Sequence, residues 1–93
     1  MKIESELTKI CSVLGNGTRF TTLLMLMEDK RPVEIALCLE ISQPAISKAI
    51  RSLVSNGLIK RDGFRRNMRY HIPDKTRELV DNLHAVIGDY VNE

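Results

Sequence analysis

The sequence predicts a mainly helical chain with one small β-hairpin, in the order helix, helix, helix, helix, hairpin, helix. Three observations predict it. Apolar residues recur at spacings of three and four over most of the chain. That period is lost between Leu58 and Ile72, where Asp62-Gly63 separates two short strand-like runs. Gly, Asn, Pro and Ser stand at the joins between segments, where caps and turns need them.

Ile3, Leu7, Ile10 and Leu14 mark one face of the first helix, which Gly15-Asn16-Gly17 ends. Asn16 or Thr18 can cap the second helix, which runs to about Glu28 with Phe20, Leu23, Leu24 and Met27 as its buried stripe. Asp29-Lys30-Arg31 forms a polar turn, and Pro32 suits the first turn of a short third helix, about Val33 to Leu39, with Ile35, Ala36 and Leu39 facing inward. Glu40-Ile41 makes a tight connection.

Ser42 then caps a fourth helix whose apolar positions are Ile46, Ile50, Leu53 and Val54. Its opposite face, Gln43, Ala45, Ser47, Lys48 and Arg51, is short, polar and basic. Asn56-Gly57 ends the helix with residues that tolerate a left-handed conformation. Leu58 to Arg61 and Met68 to Ile72 read as the hairpin strands, with Arg65 and Arg66 at the tip. Pro73-Asp74 starts a last helix reaching about Val91. Leu79, Leu83, Val86 and Tyr90 form its stripe, widened by Val80, Ile87 and Val91.

Charge is segregated along the chain. The net charge is +2, yet residues 48–77 hold nine Lys or Arg and two acids, a net of +7, while the rest holds five basic and ten acidic residues, a net of −5. Such a split points to a polyanion as partner. A basic face alone does not separate DNA from RNA or a membrane surface; the order of elements does. A helix pair joined by a tight turn and followed at once by a basic hairpin is what a winged helix-turn-helix requires. One helix buries a face and offers the other to base edges in a major groove about 12 Å wide. An arginine-bearing wing reaches phosphates or the minor groove.

The run from Glu34 to Leu53, followed by Asn56-Gly57-Leu58-Ile59, also resembles the ArsR/SmtB group of winged-helix repressors. Leu14 through Arg19 to Leu24 is similar to the leucine, short turn, threonine-arginine, leucines signature of that group's second helix, and Arg69-Tyr70-His71-Ile72 to its returning wing strand. The resemblance covers about residues 13–72. It implies that Gln43, Pro44, Ala45, Ser47 and Lys48 contact bases or phosphates, and that Arg65, Arg66 and Arg69 belong to the wing; Arg51 joins them from the basic face of the fourth helix. The group's metal sites do not carry over. Its two thiolate positions fall on Arg31 and Val33, and its last-helix ligands on Asp74, Thr76, Ile87 and Tyr90. His71 and His84 do not replace the missing ligands, so the resemblance implies a relative that does not sense metal. No cofactor is expected.

At 93 residues the sequence reads as one domain, residues 1–93, and a chain this short buries only about 60–65% of its unfolded surface. A second subunit or a staple is therefore expected, and the favoured reading has Ile3, Leu7, Ile10, Leu79, Leu83, Val86 and Tyr90 pairing across a two-fold axis. His84, flanking that stripe, reads as an interface residue rather than a ligand or pH sensor. Cys11 and Cys38 read as small core residues, since free cysteine packs as a small hydrophobe. A thiol switch and a structural disulfide stay open as alternatives.

The acidic N-terminus lacks a signal-peptide pattern, and no apolar run reaches the roughly 18 residues a membrane span needs, so a cytoplasmic, nucleoid-associated protein is expected. No phosphate-binding loop, paired carboxylates or nucleophile–base spacing marks an enzyme. Nothing in the sequence indicates a small-molecule ligand. The expected function is a homodimeric regulator, a repressor, that binds an inverted repeat in double-stranded DNA. The rival reading is a winged helix used for protein–protein contact; retention of the basic helix and wing favours DNA.

Overall fold

In the structure, a computed structural model describing residues 2–63 and 69–91, the first four helices end where a local signal ends them. The side chains of residues 2–4, 6, 7 and 90 stand outside that description. Helices α1 (Lys2–Leu14), α2 (Gly17–Met27), α3 (Pro32–Leu39) and α4 (Gln43–Ser55) precede strands β1 (Lys60–Asp62) and β2 (Arg69–His71), and α5 (Asp74–Val91) follows. The strands pair antiparallel as a two-stranded hairpin. Asn16 caps α2, its Oδ1 accepting the Arg19 N–H at 3.1 Å. Ser42 caps α4 in the same way, its Oγ accepting from Ala45 at 3.3 Å. Glu34 reaches back to accept the Arg31 N–H at 3.1 Å ahead of α3, where Pro32 opens the first turn.

Three successive helices close with the same C-terminal motif. Lys30 N–H donates to Met25, Ile41 to Ala36 and Leu58 to Leu53, while Asp29, Glu40 and Gly57 donate to Leu26, Leu37 and Val54. The motif demands a left-handed residue, and these three hold φ of 62°, 55° and 75°. At the first two positions an acidic side chain stands where glycine is usual. At the third, Gly57 alone takes the strained conformation. Asn56 stays at φ −94° and donates its side-chain amide to the Ser52 carbonyl at 2.8 Å.

The core gathers Leu23 and Leu26 of α2, Ile35 and Ala36 of α3, and Ile46, Ile50 and Leu53 of α4, with Val13, Leu58, Ile59, Ile72 and Val80 closing it. α2 packs on α4, which also packs on α3; α1 lies against α2. Among the described side chains of α1, Val13 is buried and Ile10 and Leu14 are half-buried. Three expectations are corrected. The buried face of α2 is Thr22, Leu23 and Leu26, while Phe20, Leu24 and Met27 are half-buried. An unbroken apolar run from Leu23 to Met27 gives periodicity no face to prefer, so packing against α4 chooses it. β1 begins at Lys60, not Leu58: Leu58 and Ile59 are both buried, which an alternating strand forbids, and the Leu58 N–H closes α4 instead. Cys11 and Cys38 are exposed free thiols rather than core residues. Each lies two positions, about 200° around its helix, from a buried neighbour, Val13 or Ala36, which leaves it outside the buried face.

α5 divides into two parts. Its first turns enter the core through Thr76 and Val80, with Leu79 packed alongside. Beyond Leu83 the helix leaves the core, and Val86, Ile87 and Val91 are 53%, 52% and 76% exposed. Among the described residues no helix is long and apolar enough to cross a membrane.

Candidate nucleic-acid interface

α4 presents its polar side because its apolar side is fixed in the core. Ile46, Ala49, Ile50 and Leu53 are buried, which turns Gln43, Pro44, Ser47, Lys48 and Arg51 to solvent. Pro44, Ser47, Lys48 and Arg51 follow the spacing i, i+3, i+4, i+7, so they form a single stripe. Ala45 is half-buried beside it. The stripe continues to Ser55, an exposed position the sequence reading passed over. The first-turn backbone donors are largely engaged: Ala45 N–H by the Ser42 hydroxyl, Ile46 N–H by the Ser42 carbonyl, and Pro44 has none. Any contact that the start of this helix makes therefore falls largely to its side chains.

The hairpin register assigns faces to the neighbouring charges. Lys60 stands opposite His71, Arg61 opposite Tyr70, and Asp62 opposite Arg69. Because side chains alternate, Lys60, Asp62, Arg69 and His71 share one face and Arg61 shares the other with Tyr70. Tyr70 packs against the core, so the Lys60–Arg69 face is the outer one. Lys60, Asp62, Arg69 and His71 are all exposed. Arg65 and Arg66, the expected tip residues, lie outside the described residues. Lys60, which the sequence alone did not single out as a contact, shares the outer face with Arg69; only the strand register places it there.

Behind the hairpin, the Thr76 hydroxyl donates a buried 2.7 Å hydrogen bond to the Leu58 carbonyl. The resemblance had put a metal ligand of related repressors at this position. Here the residue is engaged structurally, and Arg31 and Val33 offer no thiolate, so these residues do not fit a metal. Among the described residues no group of three or more His, Cys, Asp or Glu gathers to hold one.

The whole arrangement matches solved structures closely. It is similar to the homodimeric winged helix-turn-helix DNA-binding domain Mb0332 of Mycobacterium bovis, a possible ArsR-family transcriptional regulator. The TM-score is 0.81 at 20% identity, over 95% of this chain and 83% of that one. The fold is a winged helix-turn-helix. HlyU of Vibrio cholerae, in its reduced form, matches with a TM-score of 0.75 at 22% identity over 91% of this chain and 92% of that one. An ArsR-like transcriptional regulator from Rhodococcus matches at 0.67 and 24% identity over 99% and 92% of the two chains. No family model and no curated protein matches the sequence. In winged-helix terms α3 and α4 form the helix-turn-helix, with α4 in the place of the recognition helix, and the β1–β2 hairpin forms the wing. The helical stripe lies on the second helix of that pair, and Lys60 and Arg69 lie on the outer face of the wing.

Proposed function

We propose that the chain, acting as one domain over residues 1–93, is a sequence-specific double-stranded DNA-binding transcription regulator of the cytoplasm and nucleoid. The observation that carries this reading is the exposed stripe Pro44, Ser47, Lys48 and Arg51 on a helix whose other face is locked in the core, followed in the chain by a wing bearing Lys60 and Arg69. Gln43, Ser47, Lys48 and Arg51 read base edges or hold phosphates, with Pro44 and Ala45 keeping the approach close. Arg65, Arg66 and Arg69 hold flanking phosphates or enter the minor groove.

The active form is a homodimer on an inverted repeat, with two α4 helices in successive major grooves about 34–36 Å apart. Val86, the exposed apolar neighbours Ile87 and Val91, and the half-buried Leu83 and Ile10 support pairing through α1 and α5. Leu79, which also packs on its own core, borders that surface. Ile3, Leu7 and Tyr90, the remaining members of the proposed interface, have side chains outside the described residues. Binding across a promoter represses by excluding polymerase.

Fluorescence anisotropy on random duplex DNA over a salt series, with light scattering on the free protein, tests this. A dimer whose affinity falls steeply with salt supports it, since each neutralised phosphate releases condensed counterions. Absence of binding at about 50 mM salt, where non-specific contacts are strongest, overturns it in favour of a protein-interaction winged helix, for which exposed Val33 and Leu37 on α3 offer an apolar surface.

A further inference from the structure

Thr76 closes the chain at both roots of the wing. Its hydroxyl donates to the Leu58 carbonyl at 2.7 Å, just before β1, and its backbone N–H donates to the Pro73 carbonyl at 2.9 Å, just after β2. Leu58 is held from its other side too, its N–H donating to Leu53 in the last turn of α4 at 3.0 Å. The end of the recognition helix, the base of the wing and the first turn of α5 therefore meet at one residue pair. The pair is dry: Thr76 is 1% exposed, and Leu58 is buried.

A hairpin with three paired residues per strand is too short to hold its own direction. Ile59, Ile72 and Tyr70 keep it on the core, but apolar packing is non-directional and fixes contact rather than angle. The hydrogen bond from Thr76 is directional. We infer that Thr76 is a positioning residue for DNA binding: it sets the angle at which the wing leaves the core relative to α4, so that Arg69 and the recognition helix reach one duplex together. This rests on the DNA-binding reading above. Valine has the same shape without the donor, and serine keeps the donor without the methyl, so the two substitutions separate the hydrogen bond from the packing.

The experiment is a double-mutant cycle on duplex DNA, with Thr76→Val and Thr76→Ser each combined with Arg69→Ala or Lys48→Ala, at a temperature where circular dichroism shows all variants folded. Hydrogen exchange at the amides of residues 60–62 and 69–71 is followed in the same proteins. Arg69→Ala is expected to weaken binding roughly fivefold in the parent and less than about twofold beside Thr76→Val, whereas Lys48→Ala costs the same factor in both. Thr76→Ser restores the parent behaviour. Wing amides exchange faster in Thr76→Val while α4 amides do not. An equal cost of Arg69→Ala in both backgrounds overturns the inference. If the parent does not bind DNA, the DNA-binding reading fails with the positioning role in it, and the exchange arm still reports on the wing: unchanged exchange removes the tie itself. Should Thr76→Val not fold, Thr76→Cys, a weaker donor of similar size, enters the same cycle.

Discussion

Asp62 and Arg69 stand directly opposite one another across the wing. Side chains so paired have Cβ atoms about 4.5–5.5 Å apart, so the carboxylate offsets part of the charge that Arg69 would offer a phosphate. Removing it is expected to strengthen DNA binding. Asp62→Asn should raise affinity about threefold to tenfold at low salt, a gain that shrinks as salt screens the pair. Asparagine keeps the turn chemistry ahead of Gly63, so the fold is retained. Anisotropy at low and moderate salt decides it; equal affinities would show that Asp62 does not face the duplex.

The left-handed residues closing α2, α3 and α4 rank their own substitutions. Glu40 sits at φ 55° with a side chain that makes that conformation costly, so Glu40→Gly should stabilise the fold by about 0.5–1 kcal/mol. Asp29 tolerates its φ of 62° better, because a short polar side chain can bond locally, so Asp29→Gly gains less. Gly57→Ala should lose about 1 kcal/mol, although nothing would clash with the added methyl, because φ is 75°. Urea unfolding at one fixed protein concentration gives the order; a loss for Glu40→Gly would contradict it.

Thr22 is wholly buried in α2, and its hydroxyl finds no hydrogen-bond partner among the described residues. Valine fills the same space without an unsatisfied oxygen. Thr22→Val is expected to stabilise by about 1 kcal/mol, a rise in Tm of roughly 4–8 °C for a chain of this size. A lower Tm would show that the hydroxyl is partnered in solution.

The outer half of α5 carries apolar side chains that its own core does not cover. Val86→Glu and Ile87→Glu are expected to convert a dimer to a monomer, since each places a charge in the proposed seam. Light scattering reads the mass. The same variants should lose the preference for two half-sites over one while keeping salt-sensitive contact with DNA. Dimers that survive both changes would move the interface elsewhere.

Much of this molecule is legible in local signals. Ser42 as a cap, Pro32 at the start of α3, and Gly57 at the end of α4 are choices made within three or four residues, and each stands where the sequence put it; of the two caps the sequence offered for α2, Asn16 and Thr18, Asn16 is the one used. So does the exposed basic stripe of α4, because its helix alternates sharply between apolar and polar faces. Where a segment is apolar on all sides, as in α2, the pattern names a helix but not its buried face. Leu58 and Ile59 read as strand by composition, yet their place is decided by the end of α4 and by the core beneath the wing.

By itself the sequence determined the order of elements, their caps and the concentration of positive charge on one helix and its wing, since these depend on neighbours within a turn or two. Only the tertiary structure decided which face of α2 is buried, that both cysteines are exposed, that Asp62 opposes Arg69, and that Thr76 bonds to Leu58. Those relationships join residues brought together by folding. They depend on how helices and strands pack and on the register of one pairing, which periodicity along the chain does not encode.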